Sequence, residues 1–92
     1  MGTQLSRSIC EIEQTAWAKE FKADSPVSYP IALKYAQRPR LEVFIERSDE
    51  SGEMLWVVRV LEDPSFWMEA KPTKAQATTV CRAMGWKIVH GR

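Results

Sequence analysis

Residues 41–61 read LEVFIERSDESGEMLWVVRVL, and their pattern decides the fold. Leu41, Val43 and Ile45 alternate with Glu42, Phe44 and Glu46, which is the two-residue period of a strand with one buried face. SDESGE then supplies turn chemistry, with Gly52 open to a positive φ. MLWVVRVL resumes with β-branched and aromatic residues on both faces, interrupted by Arg59, so the second strand is expected to lie centrally in the sheet. The two strands predict an antiparallel hairpin. After a turn at EDPS, FWMEA predicts a third, shorter strand over 66–70.

Helices flank this sheet. Ser8 and Glu11 have capping-box spacing, and Ile9, Ile12, Ala16, Trp17 and Phe21 recur near one face, which predicts one helix over 8–22. DSPVSYP breaks the chain, Pro30 suits the first position of a short helix through IALKYA, and QRPR stops it. Thr73 is an N-cap for a last helix carrying Ala77, Val80, Cys81 and Met84 on one stripe, closed by Gly85. Trp86, Ile88 and Val89 add a final short strand or clasp the helix end, and HGR frays. The order α-(α)-β-β-β-α-(β) predicts a single α+β domain over 1–92. Its architecture is a two-layer sandwich, an antiparallel sheet of three to four strands with helices on one face. Trp17, Val43, Ile45, Trp56, Val58, Val80 and Met84 are the expected core.

The totals narrow the function. Ninety-two residues with 45% hydrophobic content fit one small domain with a thin core. Cys10 and Cys81 are too few for a disulfide scaffold and lie among apolar helical neighbours, where a thiol packs as a small hydrophobe. With no leader and no long apolar run, a cytoplasmic protein without membrane contact is expected. His90 is the one histidine, and no phosphate loop, dinucleotide fingerprint, nucleophile elbow or metal-ligand spacing occurs. The expectation is a chain without catalytic residues, cofactor, metal or small-molecule substrate. Glu42, Glu46, Asp49, Glu50 and Glu53 read as solvated charge on a strand face and hairpin tip.

Charge is segregated along the chain. Net charge is +1 overall, yet residues 1–40 carry six basic and four acidic side chains, 41–70 two and eight, and 71–92 five and none. The final segment therefore offers basic side chains with no internal counter-charge. Lys74 and Arg82, eight residues apart, share a helix face beside the apolar stripe. With Lys71 and Lys87, and with Lys34, Arg38 and Arg40 around Tyr35, they are the candidate nucleic-acid or partner-binding residues; the other reading is an ordinary solvated helix face. Phe44 and Trp67 are the aromatics expected to face outward, and they offer an alternative surface for a partner protein or base stacking.

The order α-β-β-β-α over residues 8–85, with Thr73, Lys74 and Ala77 at the start of the last helix, resembles the double-stranded RNA-binding domain. That resemblance implies a helix start gripping phosphates, although the first hairpin is acidic where that family presents a Gly-Pro-x-His-like segment. In size, charge layout and lack of catalytic groups the chain is also similar to small phage-encoded inhibitors of the anti-CRISPR kind. This second resemblance implies a non-catalytic protein that occupies a host nucleoprotein complex or effector protein.

Overall fold

The computed structural model describes residues 8–49 and 52–90. The chain is α+β and forms two compact units, Met1–Leu41 and Glu42–Arg92.

The first unit holds α1 (Ile9–Glu13), α2 (Ala16–Asp24) and α3 (Tyr29–Ala36), which pack against one another. The Ser8 hydroxyl accepts the Glu11 N–H at 3.1 Å while the Glu11 carboxylate accepts the Ser8 N–H, completing the capping box. The single helix expected over 8–22 is divided. Thr15 leaves the helical region and becomes the N-cap of α2, accepting the Ala18 N–H at 3.1 Å and donating its hydroxyl to the Ile12 carbonyl at 2.6 Å. Ile12 is fully buried, whereas Ile9 on the short first helix is 47% exposed. Cys10, expected in the core, is exposed because it lies two residues, more than half a turn, from the buried Ile12. Pro30 sits in the first turn of α3 as its missing N–H allows, and Trp17, Phe21 and Tyr29 form a run of rings with centroids 5.5 and 6.3 Å apart.

The second unit holds β1 (Glu42–Ser48), β2 (Leu55–Val60), β3 (Asp63–Lys71), α4 (Lys74–Met84) and β4 (Lys87–Ile88). The sheet order is β3-β2-β1-β4, with β2 central as its two apolar faces require. The sheet is mixed rather than antiparallel. β4 runs parallel to β1, since the chain leaves β3 at one edge and returns through α4 to the other. β3 begins at Asp63, inside the expected turn. Between Arg59, opposite Trp67, and Val60, opposite Asp63, the register shifts and leaves Pro64, Ser65 and Phe66 without partners in the ladder; Pro64 has no N–H to give one.

Residues directly across the ladders share a face, so Val43, Ile45, Trp56, Val58, Val60 and Glu69 lie on one side. α4 packs on that side: the Lys74 ammonium stands 5.7 Å from the Trp56 ring centroid, and Glu69 acts on the Cys81 thiol. Val43, Val58, Val60, Ala77, Cys81 and Met84 are buried there. Ile45, Trp56 and Val80, expected in the core, are only partly covered. Ile45 lies beyond the end of the short β4, Trp56 has the Lys74 and Arg47 heads over its ring, and Val80 lies on the open flank of α4.

Candidate functional site

α4 carries two cations, Lys74 and Arg82, that enter no ion pair among the described residues. The Thr73 hydroxyl accepts the Gln76 N–H at 3.1 Å to start this helix, and Gly85, at φ 76°, ends it in the left-handed conformation that glycine adopts without strain. The apolar stripe of Ala77, Cys81 and Met84 turns into the sheet. That orientation leaves Lys74, Thr78 and Arg82 along one flank, each one turn from the next at intervals of about 6 Å. Thr79 bends its hydroxyl back to the Ala75 carbonyl (2.9 Å), while Thr78 faces the groove.

The facing wall is the β1 edge. β4 pairs with β1 only at Glu42 and Val43 and then departs through Ile88, Val89 and His90. A groove of about 250 Å³ opens where β4 has ended, lined by Phe44, Ile45 and Glu46, by Lys74, Thr78 and Arg82, and by Ile88, Val89 and His90. Glu46 is the acidic residue in that lining, and its carboxylate is held by Arg59 Nε at 2.6 Å. The positive potential of the opposite wall is therefore little offset. Arg82 enters no ion pair among the described residues, and Lys74 is steadied over Trp56 by a cation–π contact.

Of the basic residues singled out in the sequence, the structure brings Lys74 and Arg82 together in this groove. Lys71, at the end of β3, lies 4.0 Å from the buried Glu69 carboxylate and borders the other flank of α4. Lys87 is 3.8 Å from Glu42, its partner in the β1–β4 register. Lys34, Arg38 and Arg40 belong to the first unit, where Lys34 and Arg40 are exposed and Arg38 lies over the Tyr35 ring at 5.1 Å. Thr78 and His90 complete the groove without having been singled out. Thr78 was legible, lying four residues from each cation, whereas His90 arrives only through the path of β4.

Phe44 and Trp67 do share one sheet face, in one row with Arg59 between them. Phe44 is nevertheless 5% exposed and not outward. β2 pairs along it, and its cross-strand neighbour Arg59 donates diagonally to the Glu46 carboxylate and to the Pro64 carbonyl, leaving that end of the row occupied. Trp67 is partly exposed and borders an apolar depression of about 350 Å³ with Leu55, Val57 and Ala70. Glu42, Glu46, Asp49 and Glu53 are exposed, and Glu50 lies outside the described residues.

Glu69 was not anticipated: it is buried under α4, its carboxylate accepts the Ala70 N–H at 3.1 Å, and Lys71 flanks it. Burial first and the Glu69 charge second push the Cys81 thiol up to about 12. Such a thiol stays protonated and serves packing rather than nucleophilic chemistry. Among the described residues no group of three or more His, Cys, Asp and Glu side chains converges to hold a metal, and no helix is long and apolar enough to cross a membrane. Comparison of the chain with protein families, curated proteins and solved structures finds no match.

Proposed function

We propose that this chain is a non-catalytic nucleic-acid-binding protein that holds phosphates along the α4 groove. The observation that carries the reading is the placement of Lys74, Thr78 and Arg82 on one wall, with the neighbouring Glu46 carboxylate already engaged by Arg59. Phosphate oxygens accept from ammonium, guanidinium and hydroxyl donors, and cations spaced by one or two helical turns suit a polymer with a charge on every link. The biological form suited to such a surface is occupation of a nucleoprotein complex, as in inhibitors of the anti-CRISPR kind.

Fluorescence anisotropy with labelled RNA and DNA, at low and physiological salt, tests the reading. Lys74→Glu with Arg82→Glu reverses the groove's charge and is expected to abolish measurable binding, while thermal unfolding stays nearly unchanged because exposed charges contribute little to stability. Lys87→Gln, at a position outside the groove, is expected to bind like the unaltered protein. Equal affinity of the unaltered and doubly substituted proteins overturns the proposal.

The depression beside Trp67 favours a second reading, a protein-interaction module using that sheet face. In that case a partner captured from nuclease-treated lysate is lost with Trp67→Ala and retained with the charge reversals on α4.

A further inference from the structure

We infer that the groove takes single-stranded rather than duplex nucleic acid, with an unpaired base set against the open β1 edge at Ile45. This inference rests on the phosphate reading of the same groove. The Val89 N–H donates to the Val43 carbonyl at 2.7 Å, which shows that the backbone groups of Val43 point toward β4. Alternation along a strand turns the N–H and C=O of Ile45 the same way. β4 ends at Ile88, opposite Val43, so among the described residues no strand pairs with Ile45 from that side, and Ile45 instead lines the groove.

A peptide N–H and C=O side by side form a donor–acceptor pair, the pattern that an unpaired base presents on its own edge. In a duplex those base edges are already paired. A recess of about 250 Å³ also admits a base and a piece of backbone but not a double helix, which can only lie across its mouth. Lys74, Thr78 and Arg82 recur at about 6 Å along α4, a pitch close to that of successive phosphates on one strand. Ile88 supplies apolar surface for the face of a base. An extended acidic peptide is the competing occupant, because it could add as a strand to the same edge. The edge is short for that purpose: beyond Val43, only Ile45 and Arg47 turn backbone groups outward before β1 ends at Ser48, and Arg47 does not line the groove.

The experiment is anisotropy of the full chain with labelled ten-nucleotide probes. These are single-stranded uridine RNA and thymidine DNA, the same strands annealed into duplexes, an abasic DNA strand, and an Asp-rich peptide of equal charge. Amide NMR of Ile45 runs alongside. The expected result is single-strand binding about tenfold tighter than duplex, about tenfold loss with the abasic strand, and a shift of the Ile45 amide that the abasic strand does not produce. Comparable affinity of the RNA and DNA strands places recognition on base and phosphate; a preference for RNA adds a contact to the 2′-hydroxyl. Either is compatible with the inference. Duplex binding as tight as single-strand binding, lost on Lys74→Glu with Arg82→Glu, overturns the single-strand inference and leaves the phosphate reading standing. Equal binding of the abasic strand overturns the base contact at Ile45. Tighter binding of the peptide than of any oligonucleotide, or no oligonucleotide binding at all, overturns both.

Discussion

At the scale of single residues, burial separates side chains of similar chemistry into different roles. Met68 and Ile9 are both apolar, yet Met68 is fully buried in β3 and Ile9 is about half exposed. Met68→Ala is expected to destabilise the protein by about 2–5 kcal/mol, through lost transfer energy and a residual cavity, and Ile9→Ala by less than about 1 kcal/mol. Urea unfolding of the two variants checks the contrast, and equal losses would refute the assignment of the core. The cysteines divide in the same way. Cys10 is exposed and Cys81 buried with a raised pKa, so a thiol reagent at mildly alkaline pH should label Cys10 in the folded protein and Cys81 only after unfolding. The Cys81 shift also has a sign in stability. Its contribution is fully present below the ordinary thiol value of 9.0 and is lost as pH rises from there through about 12, because the unfolded chain ionises first. The thermal midpoint should therefore fall more steeply above pH 9 in the unaltered protein than in Cys81→Ala, whatever the offset between them at neutral pH.

At the scale of elements, caps decide where helices begin and end. The amphipathic spacing across 8–22 is compatible with one long helix, but the Thr15 hydroxyl offers the Ala18 N–H a better start, and the helix restarts there. Thr15→Ala removes that acceptor and is expected to cost about 1 kcal/mol, with Thr15→Asn close to neutral, as read by chemical unfolding. Gly85 closes α4 at φ 76°, and a Cβ added there meets nothing within 4 Å. The penalty for Gly85→Ala is thus conformational, about 1–2 kcal/mol, and Gly85→Asn should recover part of it. A steric origin would instead make asparagine the worse substitution. The register shift at Pro64 belongs to the same scale: Asp-Pro-Ser has turn chemistry, yet the pairing of Asp63 with Val60 draws it into the sheet.

For the molecule as a whole, a net charge of +1 supplies little long-range steering, so electrostatic binding has to come from local arrangement. Two cations on the groove wall correspond to about two phosphate contacts, and the logarithm of affinity for a single strand should fall with the logarithm of salt at a slope of about −1.4. Arg82→Gln should bring that slope to about −0.7 without altering the unfolding midpoint. A slope near zero in the unaltered protein would show that binding, if present, does not rest on phosphate.

The α+β class, the hairpin, the central position of β2 and the limits of α4 were legible in the chain, because a period-two alternation, a Thr cap and a terminal glycine are local signals that neighbouring residues do not reverse. The same period put Lys74 and Arg82 on one flank of α4, since eight residues return a helix nearly to the same face. Tertiary structure alone decided the rest. The parallel pairing of β4 depends on which edge the chain reaches after α4, and the groove exists because that strand is two residues long. The burial of Phe44, the burial of Glu69 beside Cys81, and the diversion of Lys87 to Glu42 depend on neighbours distant in sequence or across a ladder. A pattern along the chain records which way a side chain points, but not what stands opposite it.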